Sequence, residues 1–163
     1  MIITGGLLMP FIEWSSDKFS VGIDEIDEQH KKWIELINKL HNSLIAHDSS
    51  MSQEQAIKEM MDYTRFHFNH EEKIMRDVQY PGYEKHKTEH ELFILKIEKL
   101  EQDISKGSFV LKTRIMSILK HWLEEHICAA DKDYGAFISN SIPVLQDKAK
   151  PVLSKASQTK PPQ

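Results

Sequence analysis

The 163-residue sequence contains one cysteine, Cys128, so no disulfide can form within the chain. That usage fits a reducing compartment. No stretch approaches the roughly 18–20 consecutive apolar residues of a membrane span, which argues against membrane insertion. Basic residues are not in excess: 21 Lys and Arg stand against 25 Asp and Glu, for a net charge of −4. A nucleic-acid-binding surface would want a basic stripe, and none is present. The apolar opening, Met1–Pro10, lacks a basic first segment and a small-residue cleavage site, so no secretory signal is expected. There is no internal repeat and no strand pattern with a partner. These absences predict a cytoplasmic protein that neither enters a membrane nor binds nucleic acid; a monomer is expected.

What the sequence does have is periodic apolar residues and histidine. A chain that is 40% hydrophobic and 28% charged is globular in composition, and its length fits one domain with some tail. Apolar residues recur at steps of three and four in four stretches. The first starts at Asp24 and runs through Ile26, His30, Trp33, Ile37, His41 and Leu44 to about Ala46–His47. The second opens at a Ser52/Gln55 capping box and carries Ile57, Met60, Met61, His67, Phe68, Glu71 and Met75. The third runs from Tyr83 to Lys106 with His86, His90, Phe93, Ile94, Ile97 and Leu100 inward. The fourth follows Gly107 and Ser108, with Ile115, Leu119, Trp122, His126 and Ala129 inward, and continues toward Phe137. Short connections between four helices predict an all-α, up-down-up-down four-helix bundle. The bundle is expected over residues 23–142. An irregular arm would precede it over 1–22, and a flexible basic tail would follow over 143–163, where Pro151, Pro161 and Pro162 lie among lysines. That tail reads as a solvated appendage without function.

Nine histidines are many for this length, and several sit at helical spacing. His67 and Glu71 are four apart, as are His86 and His90, so each pair projects side by side from one helix face. Two imidazoles so placed can chelate one metal, whereas His67/Glu71 suits a His on one metal and a carboxylate spanning two. With His30 and with His126 and Asp131, the four helices offer five imidazoles and two carboxylates. That is a ligand set for two metals inside a bundle. The mixed shell without thiolate favours iron or a similar borderline metal over structural zinc. His126 and Asp131 are five apart, about 140° around a regular helix. For both to face one point, either the helix is wound wider as a π-bulge, or Asp131 reaches across from a loosened end. An irregularity is expected between Ala129 and Asp133.

The text Gly22-Ile23-Asp24 through Asp27-Glu28-Gln29-His30, then His67-Phe68 with Glu71-Glu72, His86-Lys87 with His90, and Trp122 with His126-Ile127 and Asp131 resembles the hemerythrins, in particular single-domain bacteriohemerythrins. The likeness covers roughly Trp14 to Phe137. It implies two iron ions joined by an oxo or hydroxo bridge. His86, His90 and His126 would hold one iron; His30 and His67 would hold the other, which keeps a position open to dioxygen; Glu71 and Asp131 would bridge them. The function it implies is reversible dioxygen binding, for carriage, storage or delivery to an oxygen-consuming enzyme, without catalysis by the chain itself. The alternatives are a di-iron peroxidase or nitric oxide scavenger, an oxygen or redox sensor, and an iron buffer.

Trp33, Phe68, Phe93, Ile94, Trp122 and Ile127 are expected to wall the site against water, and Cys128 to border the oxygen pocket or simply to pack as a small hydrophobe. Of the remaining histidines, His41 lies eleven residues after His30, about 16 Å along the axis, and is assigned to packing. His70 is set aside because the shell is full without it; His47 lies at a turn, His121 is expected to face out, and neither is given a role.

Overall fold

The structure, a computed structural model, describes residues 10–45, 53–105 and 112–141. Its elements are α1 (Ser16–Phe19), α2 (Asp24–Ile45), α3 (Gln53–Asp77), α4 (Tyr83–Ser105), α5 (Lys112–Trp122), a π-helical segment (Leu123–Asp131) and α6 (Lys132–Asn140). The expected first-helix terminus at Ala46–His47, the Ser52 cap, the Gly107–Ser108 junction, the beginning of the arm and the tail after Pro143 fall outside the described residues.

Each long helix forms for a reason visible in its text. Asp24, Glu25 and Asp27 place negative charge in the first turn of α2, where the helix dipole favours it. Asp27 also reaches backward: Ser20 Oγ donates to its Oδ2 at 2.6 Å and the Val21 amide to its Oδ1 at 2.8 Å. These bonds fasten the preceding arm to the start of α2. α3 stops before Gln79, which adopts a left-handed φ of 56°, and α4 begins at Tyr83 after Pro81 and Gly82.

The four long helical runs are antiparallel neighbours. Lys39 on α2 meets Glu59 on α3, and Gln29 meets His67, so the two helices run in opposite directions. Arg65 pairs with Glu98 while His90 lies beside Glu72, which sets α4 antiparallel to α3. Phe93 stacks on Trp122 and Glu89 meets His126, which brings the last run antiparallel to α4. Between them lies one core that includes Trp33, Ile37, Leu40, Met60, Met75, Ile97 and Leu119, all of them fully buried. This is the all-α bundle the periodicity predicts; among the described residues there is no strand, and no helix is long and apolar enough to cross a membrane.

The structure differs from expectation in two places. The arm is not wholly irregular, because α1 forms a single helical turn that buries Phe19. Ile12 is tied to α2 by paired bonds with the Asn38 side chain, at 2.9 and 2.8 Å. In the last run, Ala129 is exposed instead of facing inward. A π turn advances the chain by fewer degrees per residue than an α turn, so the inward face arrives later, at Asp131. After it, Gly135 passes so close to the arm that an added Cβ would lie 2.2 Å from the Val21 carbonyl oxygen.

Candidate metal centre

All seven sequence-predicted metal ligands converge in the bundle interior. His30 comes from α2, His67 and Glu71 from α3, His86 and His90 from α4, and His126 and Asp131 from the π segment. None is more than 3% exposed, a burial that isolated polar side chains would not tolerate without partners. They form two groups that share Glu71: Glu71, His86, His90, His126 and Asp131 on one side, and His30, His67 and Glu71 on the other.

The first group is tight. His126 Nε2 lies 3.0 Å from His90 Nε2 and 3.1 Å from His86 Nε2. Asp131 Oδ1 lies 3.2 Å from both His86 Nε2 and His126 Nε2, and Glu71 Oε2 lies 3.4 Å from His90 Nε2 and 3.8 Å from His86 Nε2. An ion with octahedral ligands at about 2.1 Å sets adjacent donors about 3.0 Å apart, close to the shorter of these separations. The second group is looser. His30 Nε2 is 3.4 Å from Asp131 Oδ2 and 3.9 Å from Glu71 Oε1, and His67 Nε2 is 3.6 Å from Glu71 Oε2. Asp131 thus turns one oxygen to each group, and Glu71 turns Oε1 toward His30 and Oε2 toward the others.

The π segment makes this possible. In a helix bonded i to i+5, residues five apart align, so His126 and Asp131 point the same way. The expected irregularity is therefore present, but it begins at Leu123, six residues before Ala129.

A layer behind the donors fixes their tautomers. The ring nitrogens facing Glu72 Oε1 (His90 Nδ1, 3.2 Å) and Glu89 Oε2 (His126 Nδ1, 3.1 Å) must donate, because an ionised carboxylate only accepts. In the neutral ring each Nε2 is then a bare lone pair aimed into the site. On the other side His67 Nδ1–H donates to Gln29 Oε1 at 3.0 Å. Phe68 stacks on His90 at 3.7 Å between ring centroids, and Trp122 on His126 at 4.1 Å.

The electrostatics of this arrangement call for a cation. Burial dominates at His67 and His126 and pulls them down to about 3 and about 4, so both stay neutral and competent to bind metal. At His86 burial also pulls downward, but the Asp131 and Glu71 carboxylates outweigh it and lift the imidazole to about 10. Burial pushes Glu71 and Asp131 up, and repulsion from Asp131 adds to this at Glu71, yet the surrounding imidazoles outweigh it and hold both below the usual carboxylate range. Even so, both oxygens of Glu71, both of Asp131 and both ring nitrogens of His30 have no hydrogen-bond partner. Six orphaned donor atoms, two fixed negative charges and facing nitrogen lone pairs fit bound metal ions. Imidazole with carboxylate and no thiolate suits iron among the candidates.

The expected wall is partly in place. Trp33 is fully buried with its ring centroid 6.0 Å from that of His67, and Ile127 is fully buried. Ile94 is only half-buried and lines, with Phe68, Glu72, His90 and Leu95, an outer groove of about 530 Å³ between α3 and α4. Cys128 is half-buried beside the core; burial raises its thiol pKa, against the pull of Lys18 and Lys132. His41 stacks on Phe11 at 4.6 Å, in keeping with packing, and His121 is exposed. His47 lies outside the described residues. His70, set aside at first, is buried against Gln29. Sequence reasoning missed Gln29, Glu72 and Glu89 as backing groups, although each directly adjoins a ligand: Gln29 precedes His30, Glu72 follows Glu71, and Glu89 precedes His90. It also missed Tyr134, whose buried hydroxyl has no partner and whose ring lies 6.1 Å from His86.

Comparison with known proteins agrees with this geometry. The family model described as the hemerythrin HHE cation binding domain matches residues 21–138. A bacteriohemerythrin of Stenotrophomonas maltophilia (strain R551-3) is 33% identical over 127 residues, covering 78% of this chain and 81% of its own. A bacteriohemerythrin of Pseudomonas aeruginosa (strain LESB58) is 34% identical over 143 residues, covering 87% of this chain and 92% of its own. A crystal structure of wild-type hemerythrin superposes with a TM-score of 0.71 at 26% identity, covering 77% of this chain and 96% of that one.

Proposed function

Because the chain belongs to the hemerythrin family, we propose that it binds dioxygen reversibly at a non-haem di-iron centre held by His30, His67, Glu71, His86, His90, His126 and Asp131. The observation that carries the reading is the division of the two buried carboxylates between a three-imidazole and a two-imidazole group. His86, His90 and His126 would complete one iron. His30 and His67 would hold the second, with fewer protein donors and hence room for a small ligand. Held there in the ferrous state, the pair would supply the electrons that dioxygen takes up on binding.

The chain's own contribution is the surroundings. Glu72, Glu89 and Gln29 hold protons on the outer nitrogens of His90, His126 and His67, so the inner nitrogens remain available. Phe68 and Trp122, stacked on the ligand rings, and Trp33 and Ile127 in the core exclude water and anions from the iron pair. Excluding water slows the oxidation that would leave the pair inert. A shell with five imidazoles and two carboxylates disfavours the high-valent states that oxygen-activating bundles reach with more carboxylates. The role is therefore carriage, storage or delivery to an oxygen-consuming enzyme, with no reaction performed by this chain. Residues 23–142 are assigned to the binding unit, and 1–22 and 143–163 to appendages.

Anaerobic loading with ferrous iron, metal analysis and an optical spectrum before and after air test the proposal. Two irons per chain and a visible band that appears in air and disappears on degassing are expected. Irreversible oxidation on the first exposure, or iron content unaffected by replacing both Glu71 and His86, would overturn it.

A further inference from the structure

Behind His67 lies a chain of polar groups that runs from the metal centre to the surface. Gln29 Oε1 faces His67 Nδ1 at 3.0 Å, and Gln29 Nε2 faces His70 Nδ1 at 2.5 Å. The other ring nitrogen of His70, Nε2, is buried without a hydrogen-bond partner and lies 3.5 Å from Glu25 Oε1. His67, Gln29 and His70 are all buried, while Glu25 is about one quarter exposed. Tyr63 holds the Gln29 main chain in place by donating to its carbonyl oxygen at 3.3 Å.

This chain has a direction. A primary amide accepts at oxygen and donates at nitrogen, and a neutral imidazole donates at one nitrogen and accepts at the other. Only two self-consistent arrangements exist. In one, His70 carries its proton on Nε2 and accepts at Nδ1 from the amide, whose oxygen accepts from His67 Nδ1–H. His67 Nε2 is then bare. In the other, every member is reversed: the amide nitrogen points at His67 Nδ1, and the proton of His67 sits on Nε2, where it blocks a metal.

An acceptor at each end pulls in opposite senses. Glu25 favours a proton on His70 Nε2 and hence the first arrangement. Glu71, whose Oε2 lies 3.6 Å from His67 Nε2, favours the second when no metal is present. We propose that His70 and Glu25 are positioning residues that set the polarity of the Gln29 amide and thereby keep His67 Nε2 unprotonated and ready for metal. The consequence for iron rests on the assignment of His67 as a ligand, but the proton position itself does not. Among the described residues the three-imidazole side shows no counterpart, and carboxylates contact His90 and His126 directly there.

The test is the tautomer of His67 in the full-length, metal-free chain, read from ¹⁵N shifts of labelled histidine, with helix content checked by circular dichroism. Wild type is expected to hold His67 mainly as the Nδ1–H form. Glu25→Lys puts a donor where an acceptor stood and is expected to convert more than half of His67 to the Nε2–H form. Glu25→Ala, a smaller change, is expected to give a mixture. In the Gln29→Glu background, the carboxylate accepts from both rings, and Glu25→Lys should no longer move His67. An unchanged His67 tautomer in folded Glu25→Lys and Glu25→Ala would overturn the proposal. Iron content of His67→Leu against the wild-type chain, measured separately, tests the ligand assignment, so the two ideas fail by different results.

Discussion

The two ligand groups of the candidate metal centre are backed in different ways. On the three-imidazole side the imidazole-to-carboxylate separations run from 3.2 to 3.8 Å, the inner nitrogens stand 3.0 and 3.1 Å apart, two of the rings are backed by carboxylates, and two are covered by stacked aromatic rings. On the two-imidazole side the donor separations run from 3.4 to 3.9 Å, the backing group of His67 is a neutral amide, and His30 Nδ1 has none. A carboxylate behind an imidazole raises its basicity as well as fixing its orientation, whereas an amide only orients it. The comparison teaches that one ligand group would hold an ion firmly, while the other would leave its ion freer to exchange ligands.

The sharpest way to break the contrast is to remove the group both sides share. Asp131→Ala takes an oxygen from each group and should reduce metal content from two ions per chain toward none, measured by elemental analysis after dialysis. Single-sided changes come next. His30→Leu should leave about one tightly held ion per chain, whereas His90→Leu should lose the tighter ion and weaken the other through Glu71. Equal losses from the two variants would erase the asymmetry.

Changing the backing groups has a smaller effect. Glu89→Gln converts a carboxylate contact to an amide one, and is expected to lower affinity on the three-imidazole side by roughly 10–100-fold. Gln29→Leu should weaken only the other side, as read by competition with a chelator.

The metal-free chain should also reveal both sides in its pH profile. His67, held at about 3, and His126, held at about 4, stay neutral when folded, but in the unfolded chain they take protons near 6.5. Stability should therefore fall as the pH drops below about 6.5. His86, raised to about 10, contributes stability that is complete below 6.5 and is lost as the pH rises toward 10. The thermal midpoint should peak near pH 6.5, and metal binding should flatten the curve. Smallest for the metal, though not for the fold, is Gly135→Ala. Its Cβ meets backbone and should cost about 1–3 kcal/mol of stability, seen as a lower denaturation midpoint. The metal content of both sides should stay as it was.

What could be read from the sequence was whatever depends on spacing along one helix. His67 with Glu71 and His86 with His90 share a face through helical geometry alone, and the stripes of Trp33, Ile37 and Leu40 or Phe93 and Ile97 required an interior. The five-residue interval from His126 to Asp131 even announced that a regular helix would not serve. Its starting point was hidden, because any wide turn before Asp131 restores the alignment. What depends on how one helix is shifted against another was not legible. Gln29 meeting His67 and His70, Glu89 meeting His126, and Val21 meeting Gly135 each join residues whose partner no periodicity names.

The wide coil over Leu123–Asp131 stores one surplus residue of length, and that surplus acts as an angular offset for everything beyond it. Were the same residues to wind as an ordinary helix, with none removed, each would turn further about the axis and the remaining chain would rotate with them. Asp131 would leave the direction of His126, and the buried Tyr134 and Ile138 would swing away from the interior with it. The winding of this stretch is thus as tightly constrained as the identity of any ligand, and an alteration that changes no functional side chain would still dismantle the centre.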